Sequence, residues 1–276
     1  MKLSIAAAIG LLALSVTDAA VRKANPLPKP VTIDWKAGGR INLPNTIVFN
    51  FRGPWDNILA DAANRTKAAI EKKWVPRAWE TPMPVWPKFP DQYGDNKTAS
   101  AGSKRAVDSS ASATPVWSVD LHVLDVTAPL QHGHDESYTI SVSASGILIK
   151  ANTVWGGLHG LSTFEQLVIA EKGKDQLFIE QPVEIVDKPK YTHRGVMYDT
   201  ARNFLPVSAI KKQIDALAFS KLNVFHWHIT DSQSWPLEVD PVKYPDFTKG
   251  AYSESEVYEH RHVREVVDYG RKRGVR

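Results

Sequence analysis

THRGVMYDTARNFLPVSAIKKQIDALAFSKLNVFHWHITDSQSWPLE, residues 192–238, decides the architecture. Residues 193–200 read as a strand. A loop follows, and Pro206 suits the first turn of a helix because its missing N–H has no partner there anyway. Ile210, Ile214, Leu217, Ala218 and Leu222 then recur at helical spacing, with Lys211, Lys212 and Asp215 on the wet side. Asn223 breaks that helix, and residues 223–230 form a second strand. Phe225, Trp227 and Ile229 share one of its faces, while Val224, His226, His228 and Thr230 share the other. One face packs on helices and the other looks into a barrel or cleft. A strand–helix–strand crossover of this length implies parallel pairing.

Two stretches, HRGVMYDTAR (193–202) and KLNVFHWHITDSQSWP (221–236), resemble the start of the catalytic barrel of glycoside hydrolase family 20, the β-N-acetylhexosaminidases, especially secreted fungal ones. They occur in the family's order and separation. The resemblance extends, more weakly, over nearly the whole chain.

The 276 residues suffice for one large or two modest domains. Apolar content of 43% and charged content of 23% are ordinary for a globular protein. The net charge of +4 is spread over the chain, which argues against nucleic acid as a partner. Residues 1–20 have an early lysine, an apolar centre at 5–16 and small residues at Ala19 and Ala20, the pattern of a secretory signal peptide. The centre is too short for a membrane span, so the expected location is extracellular, with no membrane partner. There are no cysteines, hence no disulfides. Two sequons, Asn64-Arg65-Thr66 and Asn96-Lys97-Thr98, fit that route. Asn96 lies in a polar stretch, whereas Asn64 falls inside an expected helix and needs an exposed face.

Residues 21–187 read as a mixed α/β unit. Strands are expected at 31–35, 46–51, 116–123, 138–142, 147–151, 176–180 and 183–186. Asp56 caps a helix running to about Trp74, and a second helix is expected at 155–171, ended by Gly173. Residues 75–90 are rich in proline and tryptophan. Residues 95–115 are rich in serine, alanine and glycine, a composition that favours disorder. Within them Lys104-Arg105 is a dibasic pair suited to a processing protease. The resemblance implies that this unit is the family's small non-catalytic, zincin-like α+β domain, whose last helix is similar to WGGLHGLSTFEQL (155–167). His122, His132, His134 and His159 are scattered and suggest no metal site.

Residues 188–276 are expected to begin a (β/α)8 barrel. A further helix is read at 263–273, and Gly274 turns the chain toward a third strand. A whole barrel takes about 200–250 residues, and about 85 follow the linker at 187–190. About two of eight units are therefore expected here. Family 20 catalysis, as the resemblance implies it, is retaining and substrate-assisted. The sugar's own 2-acetamido oxygen attacks the anomeric carbon, one carboxylate of an adjacent Asp-Glu pair orients the acetamido group, and the glutamic acid protonates the leaving oxygen. That pair is expected beyond Arg276. The chain's one Asp-Glu dipeptide, Asp135-Glu136, sits in the small unit and is rejected for the role. The chain as it stands is thus expected to be an inactive fragment, needing no cofactor.

By resemblance Arg194 grips the hydroxyls of the terminal sugar, Asp231 is an acidic pocket residue at the end of the second strand, and His228 belongs to the inner wall. The second acid that often follows Asp231 in the family is Ser232 here. From the residues alone, Arg194 also reads as a structural ion-pair partner of Asp199, and His226 as a core histidine. Asp199 and Arg202 read as braces of the loop, and Trp235 as either a sugar platform or packing. The expected ligands are oligosaccharides ending in N-acetylglucosamine or N-acetylgalactosamine, from chitin or glycans, and the full-length family pattern admits a homodimer. Two other readings use the same residues: a metal-dependent barrel hydrolase with His226 and His228 as ligands, and a non-catalytic carbohydrate-binding product.

Overall fold

The computed structural model describes residues 24–54, 56–72, 118–170, 176–240 and 242–276. The leader at 1–20, the Pro/Trp-rich stretch at 75–90 and the segment at 95–115, with Asn96, Lys104 and Arg105, lie outside the described residues.

Period-two alternation builds the first sheet. β1 (Thr32–Trp35), β2 (Ile41–Leu43) and β3 (Val48–Arg52) lead to helix α1 (Asn57–Ile70). Asp56 caps α1, its carboxylate accepting from the amides of Ile58 and Leu59, so two of the helix's orphan donors are satisfied. β4 (Ser118–Asp125), β5 (Tyr138–Ser143) and β6 (Gly146–Thr153) follow, then α2 (Val154–Leu167), β7 (Ile169–Ala170), β8 (Leu177–Ile179) and β9 (Val183–Asp187). Six strands join in the order β1-β9-β5-β6-β4-β3, and β2-β8-β7 form a small second sheet. β3 and β4 pair parallel across the α1 crossover, and β4 pairs parallel with β6.

The inward positions of these strands, among them Leu121, Ile140, Ile149, Val183 and Ile185, are buried with α1 and α2 in one core. Each such aliphatic side chain contributes about 1.5–3 kcal/mol by leaving water. The opposite sheet face leaves Val48, Leu124 and Val186 exposed.

α2 is buried on almost every side, which its small residues permit. A Cβ on Gly156 would stand 2.2 Å from the Ser137 carbonyl oxygen, and one on Gly160 would stand 2.6 Å from an Ile149 methyl. The Gly156 contact is with backbone and cannot relax by a side-chain rotation. Gly156→Ala is therefore expected to lower the melting temperature, although alanine is the better helix former by about 1 kcal/mol. An unchanged or raised melting temperature would contradict this packing.

α2 stops four residues before the expected 171. Val168 and Ile169 are β-branched, and Ile169–Ala170 pair antiparallel with β8 rather than prolonging the helix. β2 and β7 are too short to register as periodic patterns.

After the linker, β10 (Gly195–Asp199), α3 (Val207–Phe219) and β11 (Val224–His228) form the expected parallel unit, in the register Gly195↔Val224 to Asp199↔His228. Ile210, Ile214 and Leu217 of α3 pack with Phe225, Trp227 and Tyr258 in a second core. α4 (His260–Arg271) runs beside α3. Gly274, at φ +71°, then turns the chain back. Arg276 already pairs with the second strand, its amide donating to the Asn223 carbonyl (3.1 Å) and its carbonyl accepting from the Phe225 amide (2.9 Å).

Candidate functional site

Parallel strands present the same end to the same side of the sheet, so Asp199 and His228, opposite one another in register, lie together at the C-terminal ends of β10 and β11. The loops that follow bring in Arg202 and Asp231. Asp199 accepts from the Arg202 amide (3.0 Å) through Oδ1. Asp231 accepts from the Gln233 amide (2.6 Å) through its own Oδ1. One oxygen of each carboxylate is thereby fixed, and the two Oδ2 atoms converge on Arg202 Nε at 3.3 and 3.1 Å. His228 Nε2 stands 4.0 Å from Asp231 Oδ2. The Gln233 amide, and after it Arg202, hold the Asp231 carboxyl below its ordinary range. The cluster thus has two carboxylates, an imidazole and one guanidinium whose side chain is 59% exposed. It can accept and donate several hydrogen bonds to a polyhydroxylated ligand at once.

Arg194 is elsewhere. It precedes β10, at the opposite strand end, roughly 17 Å from Asp199 along the strand at about 3.3 Å per residue. Its guanidinium is spent on a bidentate pair with Glu136, Nη1 to Oε2 at 3.0 Å and Nη2 to Oε1 at 2.5 Å. Nε donates to the Lys221 carbonyl (2.7 Å) and Nη1 also to that of Tyr191 (2.6 Å). The expectation that Arg194 grips sugar gives way to a structural role, though with Glu136 rather than Asp199 as its partner. Asn223 completes the junction: its Oδ1 accepts from the Arg194 amide, and its Nδ2 donates to the Thr192 carbonyl.

Glu136 is buried, and His159 Nε2 also donates to it at 2.9 Å. Burial pushes this carboxyl up, but the hydrogen bonds from His159 and Arg194 and the guanidinium charge outweigh that, and it settles at about 2. A carboxyl so placed stays ionised and cannot serve as a general acid near neutrality.

The remaining expectations sort by position. His226 is exposed opposite Met197 and stands apart from the Asp199–His228–Asp231 group. Trp235 packs edge-on against Phe247, ring centroids 5.2 Å apart, which gives it a packing role. Asn64 sits on the exposed side of α1, where a glycan would meet solvent. Arg202, which reads in sequence as a brace of the loop, reaches further than that. The signal for more is its place after the first strand, at the end where barrel sites form, while Arg194 stands before it.

Parallel strands with a helical crossover and a polar, charged cluster at their C-terminal ends define the class: an α/β protein built on a strand–helix–strand unit, here preceded by a mixed-sheet unit. Comparison with known proteins gives the family. A profile described as "beta-acetyl hexosaminidase like" matches residues 26–167, and one described as "Glycosyl hydrolase family 20, catalytic domain" matches residues 191–276. The chain is 45% identical over 269 residues to a beta-hexosaminidase of Emericella nidulans, covering 96% of this chain and 43% of that protein. It is 40% identical over 272 residues to a probable beta-hexosaminidase of Arthroderma benhamiae, covering 95% of this chain and 42% of that protein. The solved chitobiase of Flavobacterium johnsoniae superposes with a TM-score of 0.68 at 27% identity, over 91% of this chain and 33% of its own. The chain belongs to glycoside hydrolase family 20, and it spans less than half the length of these relatives. Among the described residues, no helix is long and apolar enough to cross a membrane.

Proposed function

We propose that the protein is a secreted β-N-acetylhexosaminidase that releases terminal N-acetylglucosamine or N-acetylgalactosamine from chitin oligomers or glycans, and that residues 188–276 supply one wall of its pocket. Residues 21–187 are the non-catalytic unit in this reading. The observation that carries it is the cluster of Arg202, Asp231, His228 and Asp199 at the strand ends, in a chain of this family. The Arg202 fork suits vicinal hydroxyls. Asp231, held ionised, accepts from the same hydroxyls, and His228 lines the inner wall. The acetamido oxygen of the sugar attacks the anomeric carbon, the glycosidic C–O bond breaks, and a carboxylic acid delivers its proton to the leaving oxygen. Water then opens the cyclic intermediate with retention. The acid and the carboxylate that orients the acetamido group are not among the residues of this cluster. In this reading the acid supplies about 10²–10⁴-fold, and the cluster by itself binds sugar without that contribution.

The test is hydrolysis of p-nitrophenyl N-acetyl-β-glucosaminide by the complete gene product. Arg202→Ala and Asp231→Asn are each expected to lower kcat/KM about 10- to 150-fold, corresponding to the loss of a hydrogen bond to a charged group, about 1.5–3 kcal/mol. Arg194→Lys, in the fraction that folds, is expected to leave KM unchanged. Hydrolysis that is indifferent to Arg202→Ala would place the sugar elsewhere, and no hydrolysis by the complete product would overturn the activity.

A further inference from the structure

We propose that Asp199, His228 and Asp231 form a site for a borderline divalent cation of the zinc class, which competes with Arg202 for the two carboxylates and so closes the pocket to sugar. Among the described residues these three side chains are the group in which one ligand atom from each lies within 4.8 Å of the others. The donor set, one imidazole nitrogen and two carboxylate oxygens, suits zinc, which leaves its fourth position to water in sites of three protein ligands. Tetrahedral zinc ligands lie about 3.4 Å apart, given metal–ligand distances near 2.1 Å. The donors here therefore need only close in slightly. Their other atoms are already committed, since the Oδ1 of each aspartate accepts a backbone amide. Asp231 Oδ2 stands 4.0 Å from His228 Nε2, and the Oδ2 atoms of both aspartates meet at Arg202 Nε.

Arg202 Nε now stands where the cation's charge would fall, in contact with both Oδ2 atoms. The arginine is 59% exposed and can withdraw into solvent. A divalent ion and this guanidinium are thus alternatives at one place, and the same guanidinium is the one proposed to hold the sugar. The geometry also separates this site from a His-x-His pair on β11, because His226 takes no part in the group. The competition with sugar rests on the reading of this cluster as the sugar pocket, whereas the cation site itself does not.

The experiment is calorimetric titration of the complete gene product with zinc chloride, with and without saturating N-acetylglucosamine. The expected result is one zinc per chain at this site, weakened at least about tenfold by His228→Ala and by Asp199→Asn, by analogy with the 10- to 100-fold cost of disturbing a metal shell. His226→Ala is expected to leave the affinity unchanged. Arg202→Ala is expected to tighten zinc binding, since it removes the competing charge, and a merely structural His228 would not produce that response. Thermal melts of each variant identify any that fail to fold, and Asp199→Asn and Arg202→Ala carry the test if His228→Ala does. Absence of zinc binding, binding unmoved by His228→Ala in folded protein, or weaker binding in Arg202→Ala overturns the proposal. Zinc binding with the expected variant pattern but no effect of the sugar supports the cation site and overturns the sugar reading of the cluster. Sugar binding without zinc binding does the reverse.

Discussion

Replacing Arg194 by methionine lowers the stability of the folded protein by about 3–5 kcal/mol, the range for removing one partner of a buried ion pair. The reason lies in what is left behind. Glu136 is 7% exposed, and Arg194 supplies the cation opposite it. His159 is buried, and burial pushes its pKa below the ordinary value even though the Glu136 carboxylate pulls it up. At neutral pH His159 therefore contributes a hydrogen bond and Arg194 the charge. Without the guanidinium, an ionised carboxylate stays desolvated between the two halves of the chain.

The same pair sets a pH dependence. The Glu136 carboxyl is depressed from 4.5 to about 2 in the fold. A depressed carboxylate contributes stability that is fully present above its unfolded pKa and is lost as pH falls through the folded one. The window therefore runs from pH 4.5 down to about 2. The amount is about 3 kcal/mol, at about 1.4 kcal/mol for each tenfold change in proton affinity. His159 adds to the acid loss from a higher starting point, because an imidazole kept neutral by the fold is protonated in the unfolded chain below about pH 6.5. Urea unfolding of wild type and Glu136→Gln at pH 7 and again near pH 3 checks this. The expected result is a gap of about 3 kcal/mol at pH 7 that shrinks in acid. A gap of constant size would show that the carboxylate's charge is not what stabilises the junction.

Lys221→Met is expected to cost a similar amount, about 3–5 kcal/mol, by a second and separate route. Lys221 follows the C-terminus of α3 with φ +56°, the left-handed conformation usually given to glycine. The helix closes around it, the Leu222 amide donating to the Leu217 carbonyl at 2.8 Å. A lysine tolerates that backbone here because its ammonium is needed nearby. It donates to Asp187 Oδ2 (3.0 Å) and to the Tyr138 hydroxyl (2.6 Å), and lies 4.8 Å above the Tyr138 ring. Burial pushes the ammonium's pKa down while Asp187 pulls it up. Burial, and then Asp187, push the Tyr138 phenol up, so it stays a neutral donor to the carboxylate.

Glycine at 221 would relieve the backbone cost, about 1–2 kcal/mol for a left-handed residue with a side chain, but would still strand Asp187. Lys221→Gly is therefore expected to be destabilised relative to wild type, yet more stable than Lys221→Ala by about 1 kcal/mol. Chemical denaturation of the three variants decides it. A Lys221→Gly protein more stable than wild type would mean that the buried pair contributes nothing net.

Asp187 and Glu136 come from the first unit, Lys221 and Arg194 from the second. The junction is thus held by two buried cation–carboxylate pairs, both at the N-terminal ends of β10 and β11. The opposite ends are left to the polar cluster that the proposed chemistry uses.

Local pattern is enough to establish the parallel unit around residues 192–238, the mixed strand arrangement before it, the Asp56 cap and the family. Each of these is written in neighbouring residues: an apolar period, turn residues, a cap, or a long motif read in order. The same pattern puts His228 and Asp231 at the end of the second strand, because a strand carries its own direction. The partners of charges far apart along the chain emerge only in the fold. Arg194 meets Glu136 across 58 positions, and no period or spacing reports a contact of that kind. The assignment of Arg194 to the pocket fails for this reason, and Arg202 is underrated for the same one. Its role depends on two strand ends brought side by side, where one guanidinium reaches both Asp199 and Asp231. Lys221 shows the limit most plainly. In sequence it is one more polar residue at the end of a helix. In the fold, a left-handed backbone and an enclosed carboxylate make it a fixed point of the junction, because burial raises the cost of an unpaired charge until only a matched partner will do.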